Sequence, residues 1–159
     1  HRNFTGERIY LAELDVHFPE LTLGQTLEFA TSTRRSPSSK TVSEDQQNNE
    51  PKQRKRSHTL ASFFNLNSAY DTPIGDALIR GVSGGEKRRT SIAEAYVGGA
   101  QLQCWDNSTR GLDSLTAKRF IELLRQSTDS LQSAVTMSLY QASEAMYRVC
   151  RVTPLIVIH

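Results

Sequence analysis

Val82-Ser83-Gly84-Gly85-Glu86, followed by Lys87-Arg88-Arg89, is the stretch on which the reading of this chain turns. Ser83 is a residue type that caps a helix through its hydroxyl. Glu86, three positions on, can reach back to the Ser83 amide, so the pattern is a capping box and a helix is expected to start here. Gly84 and Gly85 strip the first turn of side chains and leave bare amide N–H groups. A helix N-terminus of that kind, with its partial positive charge, suits an anion and above all a phosphate. The plainer reading is a capped helix and nothing more. The helix should run from Gly84 to about Val97, with Gly98-Gly99 closing it. Arg88 and Arg89 stand near its start, against the dipole preference, and point to an anionic neighbour.

Working outward, Leu102-Gln103-Cys104-Trp105 reads as a short buried strand that delivers Asp106 at its C-terminal end, where open α/β sheets place their ligand chemistry. A loop from Asn107 to Ser114 follows. Ala117, Phe120, Ile121 and Leu124 then recur at the spacing of an amphipathic helix, and Ala134 to Leu139 reads as the next strand. Strand, helix, strand in this length is a parallel crossover. A helix is expected near Ser143–Val149, and the tail holds a brief apolar run from Leu155 to Ile158. Trp105 and Cys104 are read as packing residues.

Upstream, residues 8–12 form a strand candidate, and Pro19 bars simple continuation of the segment Glu13–Phe18. Thr22-Leu23-Gly24-Gln25 is a second capping box, with Leu23, Leu27 and Ala30 on one face of a short helix over 22–30. His17 is read as a loop residue rather than a metal ligand, because no second His or Cys stands at ligand spacing. From Thr31 to His58 the chain is rich in Ser, Gln, Asn, Lys and Arg and holds one apolar residue, Val42. Such a stretch buries too little surface to offset its ordering entropy, so residues 31–58 are expected to be a disordered polar insert. The basic run Lys52 to Arg56 within it reads as a solvated linker. A short helix is expected over 60–66, and a turn over 70–75.

The whole sequence has 159 residues and a formal net charge of +2, which favours neither nucleic acid nor acidic lipid as a partner. Mean hydropathy is −0.48. Cys104 and Cys150 cannot make a disulfide framework and point to a reducing compartment. The sequons at Asn3 and Asn107 are then coincidental. No apolar run approaches the roughly 18 residues of a transmembrane helix, and no signal-peptide pattern opens the sequence.

Three blocks stand in fixed order: Ser83-Gly84-Gly85-Glu86, an apolar strand ending in Asp106, and Gly111-Leu112-Asp113-Ser114. Together they resemble the signature, the Walker B strand and the D-loop of an ABC transporter nucleotide-binding domain. The runs Asp15 to Pro19, Arg80 to Glu86 and Gln103 to Ser114 resemble more closely the first nucleotide-binding domain of fungal pleiotropic-drug-resistance exporters. The implied fold is α/β: a partial P-loop NTPase fold of the ABC type, with a parallel sheet core and a helical subdomain, interrupted by the insert. It divides the chain into a partial core with the Q-loop region (1–30), the insert (31–58), a helical subdomain ending in the signature helix (59–99), the Walker B, D-loop and switch region (100–147) and a divergent tail (148–159).

Departures from the family pattern carry their own chemistry. The P-loop pattern G-x-x-x-x-G-K followed by Ser or Thr is absent, and the chain is expected to start after it, with apolar spans downstream in the same reading frame. Asn107 stands where the family carries a catalytic glutamate, and a carboxamide cannot take a proton from water near neutral pH. Glu13 occupies the Q-loop position, and Tyr140 the position of the switch histidine. No catalytic residue is therefore expected to be intact.

The resemblance implies a division of labour. Such domains pair head to tail, with ATP held between one partner's P-loop and the other's signature. Val82, Ser83, Gly84, Gly85 and Glu86 would supply the signature to ATP held by a second nucleotide-binding domain. Gly111, Leu112, Asp113 and Ser114 would cross the interface, and Asp106 would orient Mg²⁺ through water. Asp113 is also a residue type that any helix N-terminus favours. The expected partners are that second domain and the transmembrane domains of an exporter at the cytoplasmic face of a membrane, the plasma membrane being the expected one, with no nucleic acid and no span in this chain. Two rival readings stand beside this one: an ABC-type ATPase of DNA maintenance, for which the sustained heptads are missing, and a truncated remnant without function.

Overall fold

The computed structural model describes residues 8–33, 50–131, 133–139 and 142–150. The remainder of the expected insert (34–49), Tyr140 and the tail beyond Cys150 lie outside the described residues.

A parallel three-stranded sheet organises the chain. Strand β1 (Arg8–Leu11) pairs with β2 (Leu102–Trp105), Arg8 opposite Leu102 and Leu11 opposite Trp105. Strand β3 (Ala134–Met137) pairs with the other edge of β2, so the order is β1-β2-β3 with β2 central. All three strands run the same way, and their C-terminal ends therefore open on one side. The crossover from β2 to β3 is the long helix α4 (Ser114–Leu131), and its expected apolar face, Ala117, Phe120, Ile121 and Leu124, is buried. Trp105 meets Phe120 edge to face at 5.1 Å between ring centroids, and its indole N–H donates to Gln103 Oε1 at 3.1 Å. That pairing satisfies the polar handle of a fully buried Trp.

Two further helices pack together beside the sheet. Helix α1 (Leu23–Thr33) starts at the expected box: the Gln25 amide donates to Thr22 Oγ1 at 3.1 Å, and the Thr22 amide to Gln25 Oε1 at 2.9 Å. It buries Leu23, Leu27 and Ala30 as the spacing requires. Helix α2 (Glu50–Phe63) lies against it. This corrects the sequence reading of a disordered insert over 31–58: residues 31–33 close α1 and 50–58 belong to α2, which starts before the short helix expected at 60–66 and ends at Phe63. The physical reason is a buried face that is polar in its first half. Gln53, Ser57, Leu60, Ala61 and Phe64 fall at helical spacing, and hydrogen bonds stand where apolar contacts would be expected. Gln53 Nε2 donates to the Glu28 carbonyl at 3.1 Å, and the fully buried Ser57 hydroxyl lies 2.6 Å from the Tyr70 hydroxyl. The basic run Lys52 to Arg56 is thus part of α2, and Arg54 pairs with Glu28 at 3.8 Å. Tyr70 in turn donates to Glu28 Oε1, and His58 stacks on its ring at 3.9 Å. Gly24 makes room for that ring, since a Cβ there would lie 2.3 Å from Tyr70 Cε1.

Helix α3 (Gly84–Val97) has the expected bounds, and Gly99 beyond it takes a positive φ of 55°. It sits against α1 and β1, with Ile92, Ala93 and Ala95 in the shared core. The last described helix, α5 (Glu144–Val149), is capped by Ser143 and packs Met146 against Ala117 and Ile121 of α4.

Candidate functional site

The carboxyl ends of the strands release three segments on the same side: Ala12 to Asp15 after β1, Asp106 to Ser108 after β2, and Ser138 after β3. The N-terminus of α3 faces them. Between lies an open cleft of about 270 Å³, lined by Glu13, Leu14, Asp15, Gly84, Arg110 and Gly111, with Arg88 at its base. Residues from the expected Q-loop position, signature and D-loop are thereby brought together. Asp106, the expected Walker B position, borders the same end of the sheet.

Ser83 caps α3 in extended conformation, and the capping box is complete. Its hydroxyl oxygen accepts from the Glu86 amide at 3.3 Å, and its amide donates to Glu86 Oε2 at 2.8 Å. The Ser83 hydroxyl also donates to Glu86 Oε2 at 2.7 Å. These bonds hold the Glu86 carboxyl below its usual pKa, the Ser83 hydroxyl first and the Ser83 amide second, with Arg89 adding charge. Gly84 and Gly85 follow, and first-turn amides have no acceptor within their own helix. A Cβ on Gly84 would meet nothing within 4 Å, whereas one on Gly85 would stand 3.4 Å from the Gly111 carbonyl. The first glycine thus borders open space, and the second packs close to the loop after β2.

Asp106 is held from both flanking strands. Tyr10 donates to its Oδ2 at 3.0 Å, and Ser138 donates to its Oδ1 at 2.8 Å. The Tyr10 phenol is raised above its usual pKa by this carboxylate. Asn107 adopts a positive φ of 46°, donates its backbone N–H to Ser138 Oγ at 2.7 Å, and has a buried Oδ1 without a partner among the described residues. Its Nδ2 reaches Glu13 at 3.3 Å, and Glu13 also pairs with Arg110. Asp113 accepts from the amides of Leu115 and Thr116, at 3.1 and 3.0 Å, and so caps α4. Thr116 is the main cause of its lowered pKa.

Two side chains do more than the sequence showed. Arg88 is 4% exposed, and its guanidinium is surrounded by acceptors. Nη1 donates to the carbonyls of Ala12 and Glu13 and to Asp15 Oδ1, at 2.9, 3.1 and 3.0 Å. Nη2 donates to the carbonyls of Asp106 and Asn107, at 3.1 and 3.2 Å. Asp15 is the anionic neighbour of Arg88. The carbonyl partners have no signature in sequence, because backbone acceptors are the same at every position. His17 belongs to the loop after β1, as expected, but its side chain is only 3% exposed. Its Nε2 lies 2.8 Å from Ser91 Oγ and its Nδ1 3.2 Å from Glu94 Oε2, which pins that loop to α3.

The residues present fit the charge of a terminal phosphate at the Gly84 end of the cleft, where backbone amides border open space. Among the described residues no three His, Cys, Asp or Glu side chains gather as a metal site.

Residues 1–110 match the family model described as ABC transporter. The chain is 46% identical over 149 residues to the ABC-type transporter eriD of Hericium erinaceus, covering 92% of this chain and 10% of that protein. It is 47% identical over 146 residues to the ABC multidrug transporter atrI of Aspergillus fumigatus, with coverage of 92% and 10%. To the ABC multidrug transporter AFR2 of Cryptococcus neoformans it is 45% identical over 150 residues, with coverage of 91% and 9%. The chain spans about a tenth of the length of these relatives.

Proposed function

The chain belongs to the ABC transporter family, and from that premise we propose that it is the signature-bearing part of an exporter's nucleotide-binding domain, acting on ATP held by a partner domain. The observation that carries this reading is the Gly84-Gly85 turn. It stands at the N-terminus of a capped helix, beside open space, over the carboxyl ends of a parallel sheet. Amides fixed in that position stabilise phosphoryl charge without transferring a proton. Ser83 joins them by turning its hydroxyl from Glu86 toward a phosphate oxygen, and the Glu86 bond to the Ser83 amide keeps the cap while it does so. Asp113 holds α4 in register and presents the D-loop to the partner. Asp106, steadied by Tyr10 and Ser138, orients Mg²⁺ through water. Bound ATP supplies the transferable phosphoryl group; the residues of this chain only position and neutralise.

The rest of the reading follows from the same premise. Asn107 cannot serve as a base, so hydrolysis at a site centred on this chain's own Asp106 is absent. The partners are a second nucleotide-binding domain and the transmembrane domains of a drug exporter, at the cytoplasmic face of a membrane. No helix among the described residues is long and apolar enough to cross one. The purified chain is expected to show Mg²⁺-dependent ATP hydrolysis no higher than background. In a full-length exporter carrying it, Ser83→Arg is expected to abolish hydrolysis at the partner's site and drug efflux with it. Brisk turnover by the isolated chain, or efflux retained by the arginine variant, would overturn the reading.

A further inference from the structure

We propose that Arg88 is a positioning residue: its guanidinium sets the angle at which α3 presents Gly84 and Gly85, by gripping at once the chain leaving β1 and the chain leaving β2. The inference rests on the function proposed above and adds to it the means by which the glycine turn is held in register with the sheet.

The geometry is specific to arginine. One nitrogen, Nη1, takes the exit of β1 through the carbonyls of Ala12 and Glu13 and the carboxylate of Asp15. The other, Nη2, takes the exit of β2 through the carbonyls of Asp106 and Asn107. Nε leans on the Ser108 carbonyl at 3.4 Å. A guanidinium is planar and rigid, so these two sets of acceptors are held at a fixed separation, and α3 is held to both. Arg88 stands one helical turn beyond Gly84, too close for α3 to pivot freely about the contact. The two gripped segments carry Glu13 and Asn107, whose side chains meet at 3.3 Å. A shift in either strand exit therefore moves the same side chain, and with it the first turn of α3. A lysine would keep the charge beside Asp15 but offers one nitrogen, which cannot reach both exits. Arg88 itself is buried and its acceptors are part-buried, so the carbonyls it releases would lose a charged donor.

The test is made in a full-length exporter carrying this chain, with hydrolysis expressed per molecule of bound ATP. Arg88→Lys is expected to lower kcat at least tenfold while KM for ATP changes less than twofold, because binding rests mainly on the partner's P-loop. Arg119→Lys, exposed on α4, is the control and is expected to leave both unchanged. Where Arg88→Lys fails to accumulate, Asp15→Asn takes its place. It removes the charge partner and keeps the carbonyl contacts, and a three- to tenfold fall in kcat is expected. An unchanged kcat in whichever of the two variants is measured overturns the proposal. So does a rise in KM matching the fall in kcat. Ser83→Arg is measured in parallel: if it abolishes hydrolysis while kcat survives at Arg88, only the positioning role fails. If Ser83→Arg leaves hydrolysis intact, the function itself fails and this role with it.

Discussion

Gly84 and Gly85 are adjacent and identical in sequence, yet their surroundings set different demands. A methyl group on Gly84 enters open space, and one on Gly85 reaches ordinary contact with the Gly111 carbonyl. Gly84→Ala should therefore leave the stability of the isolated chain within about 1 kcal/mol of the parent, as chemical denaturation would show. If Gly84 closes on a partner's nucleotide as proposed, the same methyl in the full exporter would intrude there, and hydrolysis should fall at least tenfold by the closeness of such contacts. Unaltered hydrolysis would show that nothing closes over Gly84. The carboxylates of the site give a pH signature. Glu86 and Asp113 are both held below their ordinary values of 4.5 and 3.8. Groups of this kind contribute stability that is present above the unfolded pKa and is lost as pH falls through the lower folded value. Thermal unfolding of the chain should thus lose midpoint as pH falls below about 4.5, and Glu86→Gln with Asp113→Asn should lessen that loss. An unchanged loss would mean that other carboxylates carry it.

At the scale of elements, α2 is the instructive one. Its buried face is held by hydrogen bonds as much as by apolar contact, so its docking responds to single atoms. Tyr70→Phe removes the hydroxyl that bridges Ser57 and Glu28, and a loss of about 1 kcal/mol is expected. Gly24→Ala is the harsher change. Its methyl would overlap the Tyr70 ring, and displacing that ring should cost about 1–3 kcal/mol. Amide hydrogen exchange would separate the two, with protection lost along α2 in the alanine variant and kept along α4 in both. Uniform loss across both helices would show that α2 has no separate stability. The Trp105–Phe120 contact between β2 and α4 is of the other kind, apolar and central, and Phe120→Ala should cost about 3–5 kcal/mol.

At the scale of the whole molecule, the described sheet has three strands, so β1 and β3 each border an edge. Leu14, Val16 and Phe18 stand exposed in the segment after β1. Parallel sheets are ordinarily covered, and open edges beside apolar side chains favour self-association. The chain on its own should associate as concentration rises, and Val16→Lys should raise its soluble fraction without changing its helical circular dichroism; equal sedimentation of parent and variant would count against this. Local spacing was enough for the starts of α1 and α3, the glycine pair, the apolar face of α4 and the parallel crossover. It was enough because caps and amphipathic faces depend on residues three or four apart. Long-range contacts alone account for the helix over 50–58, the pairing of Glu13 with Arg110 and the burial of Arg88. Those outcomes depend on partners far along the chain, such as Asp15, 73 residues before Arg88, and on backbone carbonyls that no residue type announces. A polar side chain is buried only where folding brings it enough acceptors, and neighbours in sequence do not say which acceptors those are.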